Sequence, residues 1–222
     1  SKKEMQSVYF TGQIAYHNYL FLDVTGRNDW SSALGVNNYS FFYPSVSTSF
    51  VFTEAIKSIP NNILTFGKIR ASWAQVGNDS DPYLTMNGYY STTNTYAGQG
   101  LSWMNETIPL ADLKNELTSS WEIGADLRFL NSRIGVDVTY YNGSTTNQIV
   151  PVNVSNASGY TTKVINAGEI SNKGLELSMN LIPVKTSSGF MWEINANYSR
   201  NRSEVVSLAP GIESLVVGGS AS

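Results

Sequence analysis

The chain has 222 residues, of which 14% are charged and 12% are aromatic, with one histidine and no cysteine. The lack of cysteine excludes a disulfide scaffold and thiolate metal sites, and a lone His17 excludes a two-histidine zinc site within the chain. A formal net charge of −3 argues against a nucleic-acid partner, because no basic stripe is present to neutralise phosphates. We therefore expect neither an enzyme nor a bound metal or cofactor.

Apolar and polar residues alternate in about eight segments, and this period of two predicts β-strands. In chain order the segments cover residues 8–16, 20–27, 42–52, 63–74, 121–129, 134–140, 175–181 and 190–199. The sequence contains no uninterrupted apolar run long enough for a transmembrane helix. The predicted fold is all-β and antiparallel.

Residues 119–141 show the pattern most clearly. Trp121 to Phe129 and Ile134 to Tyr140 place apolar side chains on one face, and a short break at residues 131–132 predicts a hairpin turn. Each arm has about ten residues, the length that a tilted strand needs to cross a bilayer.

The predicted connections alternate between short and long. The short ones are residues 17–18, 54–62, 130–132 and 183–189, and the long ones are residues 30–41, 77–118 and 151–166. Short turns at one end and long loops at the other are typical of outer-membrane β-barrels.

Two environments are open for the apolar face, lipid or a protein core. Aromatic residues concentrate near the predicted strand ends, which favours girdles at the two membrane interfaces. These residues are Tyr16, Tyr19, Trp30, Trp73, Trp121, Phe129, Tyr140, Tyr141, Trp192 and Tyr198. Charges in the middle of strands suit a wet lumen better than a packed core. The alternative is a soluble or surface-displayed β-rich module that binds carbohydrate or protein.

Five segments carry further motifs. They are YPSVS at residues 43–47, LTFGKIRASWAQVGND at 64–79, LKNELTSSWEIG at 113–124, INAGEISNKGLEL at 165–177 and WEINANYSRN at 192–201. In order and spacing they resemble segments of SusC/RagA-type TonB-dependent outer-membrane transporters. Tyr43 replaces a phenylalanine of that pattern, and Asn115 replaces a proline.

The resemblance implies a larger parent in the outer membrane of Bacteroidota. Such transporters have a barrel of 22 strands, an N-terminal plug, a TonB-contacting segment and a SusD-like surface lipoprotein that acts as a lid. They import glycans or peptides with energy supplied through TonB. We expect residues 1–222 to be part of such a barrel wall, bounded by outer-membrane lipid. No plug, signal or TonB segment is expected within it, and its final VVGGSAS lacks the terminal aromatic residue of outer-membrane barrels.

Two sets of candidate site residues follow. Aromatic residues in the long loop at 77–118 are candidate contacts for a glycan or peptide, or for the lid protein: Tyr83, Tyr89, Tyr90, Tyr96 and Trp103. Charged residues of the 119–141 hairpin are candidate lumen lining: Glu122, Asp126, Arg128, Arg133 and Asp137. Among the latter we expect a cross-strand ion pair, either Asp126–Arg133 or Arg128–Asp137.

Overall fold

The computed structural model describes residues 2–208, without the side chains of residues 92–94. The terminal VVGGSAS lies outside this described part. The strands are β1 Met5–Tyr16, β2 Leu20–Ser31, β3 Ser40–Val51, β4 Leu64–Asn78, β5 Tyr89–Tyr96, β6 Gln99–Met104, β7 Thr107–Ile108, β8 Glu116–Phe129, β9 Ile134–Asn153, β10 Thr162–Lys185 and β11 Met191–Ser207. A single helical turn, α1 Phe52–Ala55, follows β3, and a 3₁₀ turn covers Asn156–Ser158. Within residues 2–208, no helix is both long and apolar enough to cross a membrane.

Eight long strands form one antiparallel sheet in the order β1-β2-β3-β4-β8-β9-β10-β11. Each strand therefore pairs with the next long strand in the chain, as in the wall of an up-and-down barrel. The short β7 runs parallel to β10, and β5 and β6 form a separate hairpin. The predicted all-β, antiparallel fold with about eight long strands is confirmed.

One face of this sheet is apolar and exposed. Register places Trp73 opposite Trp121 and Ala71 opposite Ile123, so the predicted apolar sets of successive strands lie on the same side. Exposed members of this apolar face are Val8, Phe10, Ile14, Phe42, Val46, Ile69, Trp73, Trp121, Ile123, Leu175, Trp192 and Ile194. A soluble sandwich would instead bury these side chains between two sheets. The soluble alternative is therefore wrong, and the apolar face is the lipid-facing side of a barrel wall.

The apolar face covers most of the height of a lipid-facing band. On β8 it runs from Trp121 to Phe129, a distance of about 26 Å along an extended strand. Strands of membrane barrels tilt by about 35–45° and their lipid-facing band is about 25 Å tall, so this stretch accounts for about 20 Å of that height.

An aromatic row crosses the apolar face near its loop end, formed by Trp73, Trp121, Tyr140 and Tyr198. The rings of Trp121 and Tyr140 lie 5.5 Å apart. Following the register from Trp73 through four successive strand pairings leads to Arg202 on β11. The row instead ends at Tyr198, four residues before Arg202, so it slopes by four residues across the four pairings. Four residues span about 13 Å along a strand, and four strand spacings span about 19 Å across the sheet. If the row follows the membrane plane, the strands tilt by about 35° from the membrane normal, which is within the range of membrane barrels. Tyr141 does not join this row, because its hydroxyl lies over Gly174 on the opposite face.

The loop-end connections are shorter than predicted because the strands continue past the apolar zone. They cover residues 32–39, 79–115 and 154–161, and the last is short because β9 has 20 residues and β10 has 24. Residues 142–153 are rich in Thr, Asn, Ser and Gly, so they carry no hydrophobic alternation although their backbone remains paired.

A small core forms where the loops meet the strands. Leu34, Phe41, Leu113 and Val164 are buried against one another, and Leu113 is fully buried. Since these residues come from the β2–β3 loop, β3, the β4–β8 connection and β10, the core fixes the loops onto the end of the wall.

Candidate functional site

The face opposite the apolar one is polar and carries charges that interact across strands. Arg70 on β4 reaches over β8 to β9, where its two terminal nitrogens donate to the carboxylate of Asp137 at 2.7 Å each. It also donates to the hydroxyl of Thr139 at 2.6 Å. Gly124 on β8 makes this crossing possible, because a Cβ there would lie 2.7 Å from Nε of Arg70. Such contact across an intervening strand indicates that the polar face is the concave side of the wall.

The predicted ion pairs of the 119–141 hairpin are corrected. Asp137 binds Arg70 instead of Arg128, and Asp126 binds Arg128 of its own strand at 3.3 Å instead of Arg133. The reason is register, since Asp126 and Asp137 lie directly opposite each other and their two carboxylates turn to different cations. Arg128 also covers the ring of Phe66, with its guanidinium carbon 5.0 Å from the ring centre.

The other predicted lumen residues occupy two places. Glu122 lies on the polar face of β8, in register with Ser72 and Tyr141, and is exposed. Arg133 lies in the turn between β8 and β9 and is exposed at that end of the wall. The structure thus places Glu122, Asp126, Arg128 and Asp137 on one face, and Arg133 at its rim.

A second charged cluster lies at the loop end of the polar face and was missed by sequence reasoning. Asp79, which follows β4, accepts from Lys3 at 2.7 Å and from the hydroxyl of Ser31 at 2.5 Å. Next to it, Arg27 donates to the buried Asp29 at 2.6 Å. Residues of both pairs line a groove of about 540 Å³. Only the fold brings residues 3, 31 and 79 together, so no local motif signals this cluster.

The hairpin of β5 and β6 is separate from the main sheet and presents exposed aromatic side chains. Tyr90 is directly opposite Trp103, and their rings are stacked with centres 4.8 Å apart and planes 23° apart. Both remain substantially exposed, at 43% and 52%. Leu101 lies two residues from Trp103 on the same strand and adds to this face of the hairpin.

The remaining aromatic candidates of this loop are dispersed. Tyr89 is opposite Met104 and Tyr96 is next to the hairpin turn, opposite Gln99. Tyr83 lies outside the hairpin, where its hydroxyl accepts from the backbone amide of Lys2 at 3.2 Å. All three are exposed. The structure therefore stacks Tyr90 on Trp103 and places Tyr83 outside the hairpin.

Comparison with known proteins agrees with this geometry. The family described as "TonB dependent receptor-like, beta-barrel" matches residues 1–215. TonB-dependent receptor P26 of Formosa agariphila is 30% identical over 211 residues, covering 91% of this chain and 21% of the relative. TonB-dependent receptor SusC of Bacteroides thetaiotaomicron is 29% identical over 220 residues, covering 93% of this chain and 21% of the relative. The chain thus spans about a fifth of the length of these relatives.

Solved structures share the fold. The RagAB peptide transporter superposes with a TM-score of 0.84 at 23% identity, over 95% of this chain and 23% of that chain. The siderophore receptor PirA from Pseudomonas aeruginosa superposes less closely, with a TM-score of 0.57 at 18% identity, over 90% of this chain and 32% of that chain.

A tilted antiparallel wall with an exposed apolar face and a charged concave face defines an outer-membrane β-barrel. The chain belongs to the TonB-dependent receptor family and forms part of its barrel. The resemblance to the SusC/RagA type, drawn from sequence motifs, is confirmed by the SusC relative and the RagAB fold.

Proposed function

We propose that the complete protein imports a bulky solute, a glycan or a peptide, across the outer membrane with energy supplied through TonB. In this proposal the chain supplies part of the barrel wall and part of the mouth, and a SusD-like surface lipoprotein covers that mouth. The observation that carries the proposal is the match of residues 1–215 to the TonB-dependent receptor barrel. It is supported by the names of the relatives, which include SusC and a peptide transporter.

The concave face suits the passage of a polar solute. Charged and hydroxyl side chains such as Arg70, Asp126 and Thr139 offer exchangeable hydrogen bonds to sugar hydroxyls or peptide groups. Because these side chains are only partly buried, water reaches them as well, and a solute is not held tightly. This arrangement favours movement along the wall over permanent binding.

The stacked rings of Tyr90 and Trp103 are the proposed contact at the mouth. Tyr and Trp are enriched among the residues that dominate binding energy, because they bury a large area at low entropic cost. Their mutual stacking holds both rings in position before a partner arrives. A flat sugar face, a peptide side chain or the lid protein are the partners that these rings fit.

Growth on single nutrients tests the transport proposal. Cells lacking the complete receptor gene are expected to lose growth on one glycan or peptide source and to regain it with the wild-type gene. Loss of TonB is expected to abolish that growth equally. Unimpaired growth of the deletion strain on every glycan and peptide source tested would contradict the proposal.

Substitutions in the hairpin test the mouth contact. Tyr90→Ala and Trp103→Ala in the complete receptor are expected to reduce uptake or retention of the co-purifying lipoprotein, and to leave the amount of receptor in the outer membrane unchanged. Val36→Ala is the matched control, since Val36 is 85% exposed in the β2–β3 loop and lies outside the hairpin. A loss of lipoprotein alone assigns the rings to the lid, and a loss of uptake alone assigns them to the solute. No change in either readout rejects a direct role.

A further inference from the structure

Three cations cluster on the outward, apolar face of the wall. Lys173 on β10 is directly opposite Arg202 on β11, and Leu175 is opposite Arg200. Since Leu175 belongs to the apolar face, its register partner Arg200 lies on that face too, and so do Lys173 and Arg202 two residues away. All three side chains are exposed. We call Lys173, Arg200 and Arg202 the cationic patch.

The cationic patch lies just beyond the aromatic row, on the loop side. Arg200 and Arg202 follow Tyr198 by two and four residues along β11, towards the loop end. Aromatic rows mark the depth of lipid head groups, with hydrocarbon on one side and the hydrated head-group layer on the other. The patch therefore sits at the depth of the charged head groups of the outer leaflet.

Within residues 2–208, no carboxylate forms an ion pair with the cationic patch. The five ion pairs among residues 2–208 involve other cations: Lys3, Arg27, Lys57, Arg70 and Arg128. Glu204 follows Arg202 by two residues on the same face without forming an ion pair with it in this part of the chain. Like charges directly opposite each other across two strands repel, so Lys173 and Arg202 gain from an anion placed between them.

The chemistry of the patch and its depth identify the partner. Because the patch faces away from the lumen, a transported solute does not reach it. Phosphate groups accept hydrogen bonds from Arg and Lys. Asn142, in register with Lys173, adds an amide donor beside them. We infer that Lys173, Arg200 and Arg202 bind the phosphate of a lipid head group in the outer leaflet of the outer membrane.

Native mass spectrometry of the complete receptor in dodecyl maltoside tests this inference. The probes are phosphorylated lipid A and the same lipid A after removal of its phosphates. Wild-type receptor is expected to retain the phosphorylated form preferentially. A cation near an anionic lipid surface contributes about a fivefold change in affinity. The variant Lys173→Gln, Arg200→Gln, Arg202→Gln is therefore expected to lose about tenfold or more of the preference.

Two control variants separate the patch from general effects of charge or folding. The first, Lys173→Arg, Arg200→Lys, Arg202→Lys, keeps the charges and is expected to keep the preference. The second, Lys57→Gln, Lys114→Gln, Lys185→Gln, removes three charges elsewhere and is also expected to keep it. An unchanged preference in the triple glutamine variant overturns the inference. Displacement of lipid A by an equal concentration of inorganic phosphate overturns the assignment to a lipid.

Discussion

Arg70 and Asp137 form a two-pronged ion pair although a complete strand separates them. Both N–O distances are 2.7 Å, and the guanidinium passes over Gly124 of the intervening β8. The two strands are about 9.5 Å apart in a flat sheet, so the pair depends on a long arginine, a curved wall and a glycine in the gap. One contact thereby ties three neighbouring strands together on the concave side.

We predict that Gly124→Ala breaks this ion pair while the barrel still folds. A Cβ at residue 124 would lie 2.7 Å from Nε of Arg70, which must then swing away from Asp137. The loss in folding free energy is expected to stay below about 1 kcal/mol, because both partners are more than a third exposed. A cryo-electron microscopy map of the variant shows the guanidinium position. Gly135→Ala is the control, since its Cβ would meet nothing closer than 3.7 Å, and an undisturbed Arg70 in Gly124→Ala would refute the prediction.

A charge is expected to be tolerated on one face of β8 and rejected on the other. Ile123→Arg places a cation in lipid and should cost about 2 kcal/mol, with less folded receptor in the membrane fraction. Glu122→Arg, at the adjacent residue on the polar face, should cost much less. The readout is the folded fraction on gels run without boiling, and equal losses would show that the two faces are wrongly assigned.

Gly168→Ala should loosen the loop end of β10. Gly168 has φ of +67°, and a Cβ there would lie 2.5 Å from the carbonyl oxygen of Ser207, the last residue of β11. We expect a cost of about 1–2 kcal/mol from the left-handed backbone. The contact with the Ser207 carbonyl should also make backbone amide hydrogens exchange faster where the ends of β10 and β11 pair. Gly12→Ala has open space around its Cβ and is expected to leave exchange unchanged; matching exchange in the two variants would contradict the prediction.

Lys3 is expected to hold the β4–β8 connection against the wall. Asp79 is largely buried, so Lys3→Met leaves its carboxylate with fewer partners and should cost about 1–2 kcal/mol locally. Limited proteolysis of residues 79–115 in the complete receptor is the measurement, with faster cleavage expected. Lys2→Met is the control, because Lys2 contributes only its backbone amide to Tyr83. Equal cleavage of the two variants would refute this anchoring.

The apolar face was predictable from sequence because it depends on a local rule. Each strand places alternate residues in lipid, so the alternation from Trp121 to Phe129 shows which side chains lie on the apolar face. Strand ends in the long β9 and β10 were not predictable, because both sides of the wall are polar beyond the membrane and alternation disappears there.

The charged contacts of the candidate site depend on register, which the sequence does not reveal locally. Arg70 lies on the polar side of β4, but its ion pair with Asp137 requires β4, β8 and β9 to be aligned. In the hairpin loop, the aromatic composition was visible, whereas the pairing of Tyr90 with Trp103 follows from a turn at Ala97 and Gly98 with positive φ values.

The strand tilt given by the aromatic row, together with the number of strands, determines the diameter of a closed barrel. A wall that leans by about 35° and closes with the 22 strands that the SusC/RagA resemblance implies has a backbone diameter of about 40 Å. Side chains from opposite walls of such a ring do not meet at its centre. In a closed ring of that width the strands alone leave an open channel, so the passage of solutes would be controlled by a structure inside the ring.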